Sequence, residues 1–110
     1  MSLDTAQKRL DEMLAALDRS IAVLKGEQPE AEHHTADAGA SLSDTERVDA
    51  ALDTMRRQRT EVLAALGRAR EGTYGKCVDC GLSVTEGRLE ARPEASRCVA
   101  CQAKRDRSRR

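Results

Sequence analysis

Cys77-x-x-Cys80 and Cys98-x-x-Cys101 hold all four cysteines of a 110-residue chain, and seventeen residues separate the two pairs. Two residues between cysteines let the chain turn so that both sulfurs of a pair face one point. Two such pairs at this distance form a zinc signature. Zn²⁺ takes four thiolates in a tetrahedron at about 2.3 Å. Here protein would fill every position, leaving none for water, so the expectation is one structural Zn²⁺ rather than a catalytic one. In a reducing compartment paired cysteines read as metal ligands before they read as disulfides. Two disulfides, a redox dithiol or an S₄ iron site remain as alternatives. Gly81 supplies a permissive backbone where the first turn leaves the metal. Lys76, Arg92 and Arg97 stand close enough in sequence to offset the negative charge of a four-thiolate site.

The composition explains why such a staple is needed. Phe and Trp are absent, Tyr74 is the one aromatic residue, and 35% of the chain is charged, so a large globular core cannot form. No stretch approaches the ~20 apolar residues of a membrane span. The N-terminus shows no apolar run after a basic start, and a cytoplasmic setting is expected. The net charge of zero hides an asymmetry: residues 1–54 carry twelve Asp/Glu against five Lys/Arg, and residues 55–110 carry seven against fourteen. An acidic and a basic half could orient a partner, or could simply be two solvated faces.

Two amphipathic helices are expected ahead of the cysteines. Leu3, Leu10, Leu14, Leu17, Ile21 and Leu24 mark a stripe from Leu3 to about Lys25, ended by Gly26 and Pro29. Val48, Leu52, Met55, Val62, Leu66 and Ala69 mark a second from about Asp44 to Glu71, with Arg59 as a polar interruption. Ser43 and Glu46 suit a capping box at its start, and Gly72 closes it. Neither stripe buries itself alone, so the two should pair as an antiparallel coiled-coil hairpin. Leu3 with Ala69, Leu10 with Val62, Leu17 with Met55 and Leu24 with Val48 share one register, symmetric about residue 36. The apex then lies near Ala36 and Asp37, with arms on the order of 35–40 Å. The expected architecture is mainly α, with residues 1–72 as the hairpin, a tip loop near 27–43, and residues 73–110 as a zinc lobe with a short C-terminal helix and basic tail. Leu82 to Leu89 is expected to add a short β-hairpin to the lobe.

The segment Gly72-Thr73-Tyr74-Gly75-Lys76-Cys77, with Cys80-Gly81, Arg88-Leu89-Glu90-Ala91-Arg92-Pro93 and Cys98-x-x-Cys101-Gln102, resembles the DksA/TraR family of bacterial transcription factors. The resemblance implies a hairpin rising from a four-cysteine zinc lobe and entering the secondary channel of RNA polymerase. It also implies an acidic tip acting near the polymerase active centre. The family's tip commonly reads Asp-x-x-Asp followed by a small residue. Counting back from Cys77 puts the second acidic position on Asp37 and the first on His34, so one carboxylate is kept and one replaced. The apex from the helical register falls at the same place. In the family's best-known member a long N-terminal extension forms part of the surface for the alarmone ppGpp. This sequence lacks it, and a ppGpp response is not among the expectations.

Asp37 could equally cap a local turn, and His33 and His34 could be ordinary loop residues. Arg56, Arg57 and Arg59 on the second helix could meet acidic polymerase surfaces, or be solvated residues with partners such as Asp53 for Arg57. Arg59 lies nearest the seam and could snorkel. The basic tail could touch phosphates, but one aromatic residue gives no stacking platform, and direct nucleic-acid binding is not expected. No activated nucleophile or acid–base pair points to an enzyme. The leading expectation is a monomeric, non-catalytic regulator that binds RNA polymerase. The rivals are a zinc-stabilised interaction module for another protein and a DNA binder using the basic half.

Overall fold

The structure, a computed structural model, describes residues 2–27 and 38–109. His33, His34 and Asp37, the residues of the expected tip, lie outside them. Four helices carry the fold: α1 (Leu3–Glu27), α2 (Ala38–Glu71), α3 (Glu86–Ala91) and α4 (Val99–Ser108). The chain forms two compact units, one of Met1–Leu14 with Thr60–Arg110 and one of Ala15–Arg59. In the first, the start of α1 accompanies the end of α2. In the second, the end of α1 accompanies the start of α2. This is the order of an antiparallel helical hairpin.

α1 starts from a cap that the hydrophobic pattern does not reveal. The Ser2 hydroxyl accepts from the Thr5 backbone N–H at 3.2 Å, and Ala6 N–H donates to Ser2 O at 3.0 Å. Ser2 is thus the N-cap, satisfying an amide that the first turn leaves without an intrahelical partner. Asp4 in the first turn and Lys25 in the last both suit the helix dipole. The helix passes through Gly26 and reaches Glu27.

α2 begins at Ala38, six residues before the expected start. Ser43 and Glu46 therefore lie inside the helix rather than at its start. Ala38 to Leu42 lacks apolar periodicity, but helix formation does not require it where Ala supplies the propensity. The far end agrees with expectation. Gly72 has φ +82°, and Thr73 N–H donates to Arg68 O at 2.9 Å. That bond closes a Schellman turn, which needs the left-handed conformation that Gly adopts without strain.

In the first unit Ala6, Leu10, Val62, Ala65 and Ala69 are buried, all but Ala69 fully so. Leu10 and Val62 were expected to pair. Ala6 and Ala65 join the seam although the pattern of large residues skips them. Leu3 is 46% exposed and instead lines a shallow apolar cleft with Gly72, Tyr74, Gly75 and Leu89. Leu66 is only half-buried. In the second unit Leu52 is buried, while Leu17, Ile21, Val48 and Met55 are half-buried. Arg59 does not break the seam there: its Nε donates to Asp18 Oδ1 at 2.7 Å, a link from α2 to α1. Both side chains remain largely solvated, so this pair aligns the helices more than it stabilises them.

The thinness of the seam makes each large buried residue count. Leu10→Ala should cost about 2–5 kcal/mol, the usual loss for a fully buried leucine. Leu63→Ala, at a position 40% exposed, should stay within about 0.5 kcal/mol. Chemical denaturation tracked by helical circular dichroism separates the two outcomes.

Candidate metal centre

The first cysteine pair sits in a tight turn built almost wholly from backbone bonds. Cys77 N–H donates to Leu82 O at 2.8 Å, Gly81 N–H to Cys77 O at 3.0 Å, and Val84 N–H to Gly75 O at 2.7 Å. Lys76 and Ser83 form an isolated antiparallel bridge across this turn. Gly81 leaves the turn at φ +77°, the left-handed geometry its position after Cys80 calls for. The expected β-hairpin over Leu82–Leu89 does not form. After the bridge the chain enters α3 at Glu86, because Leu89 turns back onto Cys77 and Val84 and a helical turn brings it there.

The second pair opens a helix. Cys98 is the N-cap of α4, and its sulfur accepts from Cys101 N–H at 3.5 Å. The positive end of the α4 dipole thus faces the sulfurs, which favours thiolates. A small core lies beneath: Cys77, Val84 and Leu89 are buried, with Tyr74, Ala95, Cys98 and Cys101 packed against them.

The four sulfurs lie within 4.8 Å of one another. Cys80 Sγ and Cys98 Sγ are 3.9 Å apart. A tetrahedron with Zn–S of 2.3 Å has edges of about 3.8 Å, so the donor set fits one zinc ion. Backbone N–H groups of Cys80 and Cys98 hold the Cys77 thiol down to about 6, in the direction of the thiolate that binds a metal. Hydrogen bonding with the Cys98 and Cys77 sulfurs pushes Cys101 up to about 12. A divalent cation at the centre displaces the protons those sulfurs share.

Side chains then fasten the lobe to the end of α2. The Tyr74 hydroxyl donates to Pro93 O at 2.9 Å. Burial raises its pKa, so the phenol keeps that proton. Arg68 reaches Glu94 O at 3.5 Å, and its own pKa is lowered, chiefly by burial. Arg88 Nε donates to Arg97 O at 2.9 Å. Of the three cations placed near the site by sequence, Lys76 is exposed, Arg92 pairs with Glu94 at 3.2 Å, and Arg97 binds Asp79 at 2.7 Å. Asp79 and Arg88 are contributors that sequence reading missed. The position of Asp79 between two ligands was the available signal. Arg56 and Arg57 on α2 are exposed, Arg57 donates to Thr54 Oγ1 at 3.3 Å, and neither belongs to the metal centre.

The purified protein should carry one Zn²⁺ per chain by elemental analysis. Chelation should speed amide exchange first across residues 73–102, while α1 and the body of α2 keep their protection, because their seam contains no ligand.

Residues 72–107 match the family described as the prokaryotic dksA/traR C4-type zinc finger. Two strains of Caulobacter vibrioides have proteins named RNA polymerase-binding transcription factor DksA that are 37% identical over 86 residues. The matched region covers 76% of this chain and 60% of the length of those relatives. The solved structure of transcription factor DksA2 from Pseudomonas aeruginosa shares the fold at a TM-score of 0.82, with 24% identity, 98% of this chain and 86% of that one. Through its four-cysteine lobe, residues 72–107, the chain carries the prokaryotic dksA/traR C4-type zinc finger.

Proposed function

We propose that the protein is a non-catalytic regulator of transcription that binds RNA polymerase through the enzyme's secondary channel. The observation that carries this reading is the joint presence of the family's zinc lobe and a helical hairpin in one chain. The 37% identity to proteins named RNA polymerase-binding supports it. In this reading residues 1–72 supply reach, residues 73–110 form a base held rigid by zinc, and Asp37 with His34 meets the polymerase near its active centre. Arg56 and Arg57 are exposed on α2 and suit contacts to acidic polymerase surface, and Arg59 pairs with Asp18. The protein acts in the cytoplasm as a monomer. Among the described residues no helix is long and apolar enough to cross a membrane, which agrees with this setting.

Core RNA polymerase should capture the protein without DNA, in competition with other secondary-channel factors. Tight DNA binding at physiological salt with no polymerase binding would favour the basic half as a nucleic-acid surface. Capture of neither would leave an interaction module for another protein.

The tip gives the sharper test. Asp37→Asn removes one charge at nearly constant size. If Asp37 touches neither the helical seam nor the zinc lobe, stability should change by no more than about 0.5 kcal/mol, and polymerase binding should persist. The effect on initiation, read as open-complex lifetime at matched occupancy, should fall. His34→Asp, which restores an acidic pair, should strengthen it. Unchanged initiation in Asp37→Asn at matched occupancy would remove Asp37 from the mechanism.

A further inference from the structure

We infer that the Asp79–Arg97 ion pair is a latch on the zinc site: it spans the two cysteine pairs beside their weakest edge and governs how fast the metal leaves. The inference rests on the metal centre alone and not on the polymerase reading.

The four ligands are not equally protected. Cys77 is buried, Cys98 and Cys101 are half-buried, and Cys80 is exposed. A competing chelator therefore meets Cys80 first. Asp79 is the residue before Cys80, and Arg97 is the residue before Cys98. The 2.7 Å bond from Arg97 Nε to Asp79 Oδ2 thus joins the residues immediately preceding Cys80 and Cys98, whose sulfurs are 3.9 Å apart. One backbone bond makes a parallel stitch, from Val78 N–H to Ser96 O at 2.9 Å. These two links cross between the knuckles without using the metal.

Arg97 is built to hold this position. Its side chain is only 19% exposed, against 43% for Asp79. A second guanidinium nitrogen donates to Ser96 Oγ at 3.3 Å. Its carbonyl oxygen accepts from Arg88 Nε, so α3 fixes its backbone from behind. A side chain restrained at both ends loses little further freedom on pairing, unlike an ordinary surface arginine. Partners just outside the ligand shell commonly change metal affinity by about 10- to 100-fold. A half-exposed pair belongs at the lower end of that range.

A simpler role for Arg97 would be counter-charge to the thiolates. The two roles make opposite forecasts for Asp79. If Arg97 only offsets charge, removing the Asp79 carboxylate frees its full charge for the sulfurs and slows zinc loss. If the pair is a latch, removing either partner releases the Cys80 segment and quickens loss.

The test uses the full-length zinc-loaded protein with a chromogenic zinc chelator in excess, and reads the rate of zinc transfer. Arg97→Gln and Asp79→Asn should each speed release roughly tenfold. The double variant should be no faster than the faster single, because both remove one interaction. The thermal transition of the helices should not move. Slower or unchanged release from Asp79→Asn would overturn the latch, and so would single effects that multiply in the double variant. Should Arg97→Gln fail to take up zinc, Asp79→Asn decides by itself, since it alters the more exposed partner.

Discussion

The convergence of four sulfurs on one point is the constraint on which the C-terminal third of this molecule depends. Its buried apolar cluster is Cys77, Val84 and Leu89, with four partly buried neighbours, and Pro93 is the one further buried residue described there. Burying a Val or Leu contributes roughly 1.5–3 kcal/mol, and ordering each residue of backbone costs about 1–2 kcal/mol. Three such side chains cannot hold a lobe of more than thirty residues. Binding of zinc by thiolates supplies what the core lacks, as in other small domains where metal affinity is folding free energy. Three of the four ligands also belong to the apolar cluster, so coordination and packing act on the same atoms.

Around that centre, the local structure is arranged to present sulfurs rather than to bury surface. The first pair is aimed by a backbone turn that leaves through Gly81, and the second by the N-terminus of α4. Both devices point N–H groups toward sulfur. A site of four thiolates and one divalent cation carries net negative charge, and donors fixed in place stabilise it without reorganising. Three of the side-chain bonds outside it run to main-chain oxygens: Tyr74 to Pro93, Arg68 to Glu94, Arg88 to Arg97. Because those acceptors are carbonyls in the loop before Cys98, the loop is held in shape by the residues flanking the first knuckle and by the last turn of α2.

The helices obey a different logic. Their seam is narrow and partly made of alanine, and much of their surface is charged. Their order comes from end conditions and a few buried positions: the Ser2 cap, the Schellman turn at Gly72, and Leu10, Leu52 and Val62. Solvated pairs such as Asp18–Arg59 then favour one alignment over its neighbours.

The sequence by itself determined the features written in short periodicities. The Cys-x-x-Cys spacing identified the ligands, the three-four stripe placed both helices, and Gly72 and Gly81 marked two turns that need positive φ. Each depends on residues within one or two turns of each other, where backbone geometry is nearly fixed by type. The tertiary structure alone decided what depends on distant partners. Ala6 and Ala65 became seam residues because the facing helix covers them, and Leu3 did not because it lies at the cleft beside Tyr74. The segment after Val84 became α3 rather than a strand because Leu89 had to reach Cys77. Arg97 was legible as a cation near the metal, yet nothing local specified that it would bind Asp79 eighteen residues earlier. That choice is made by the metal site's own folding, which brings the two knuckles face to face.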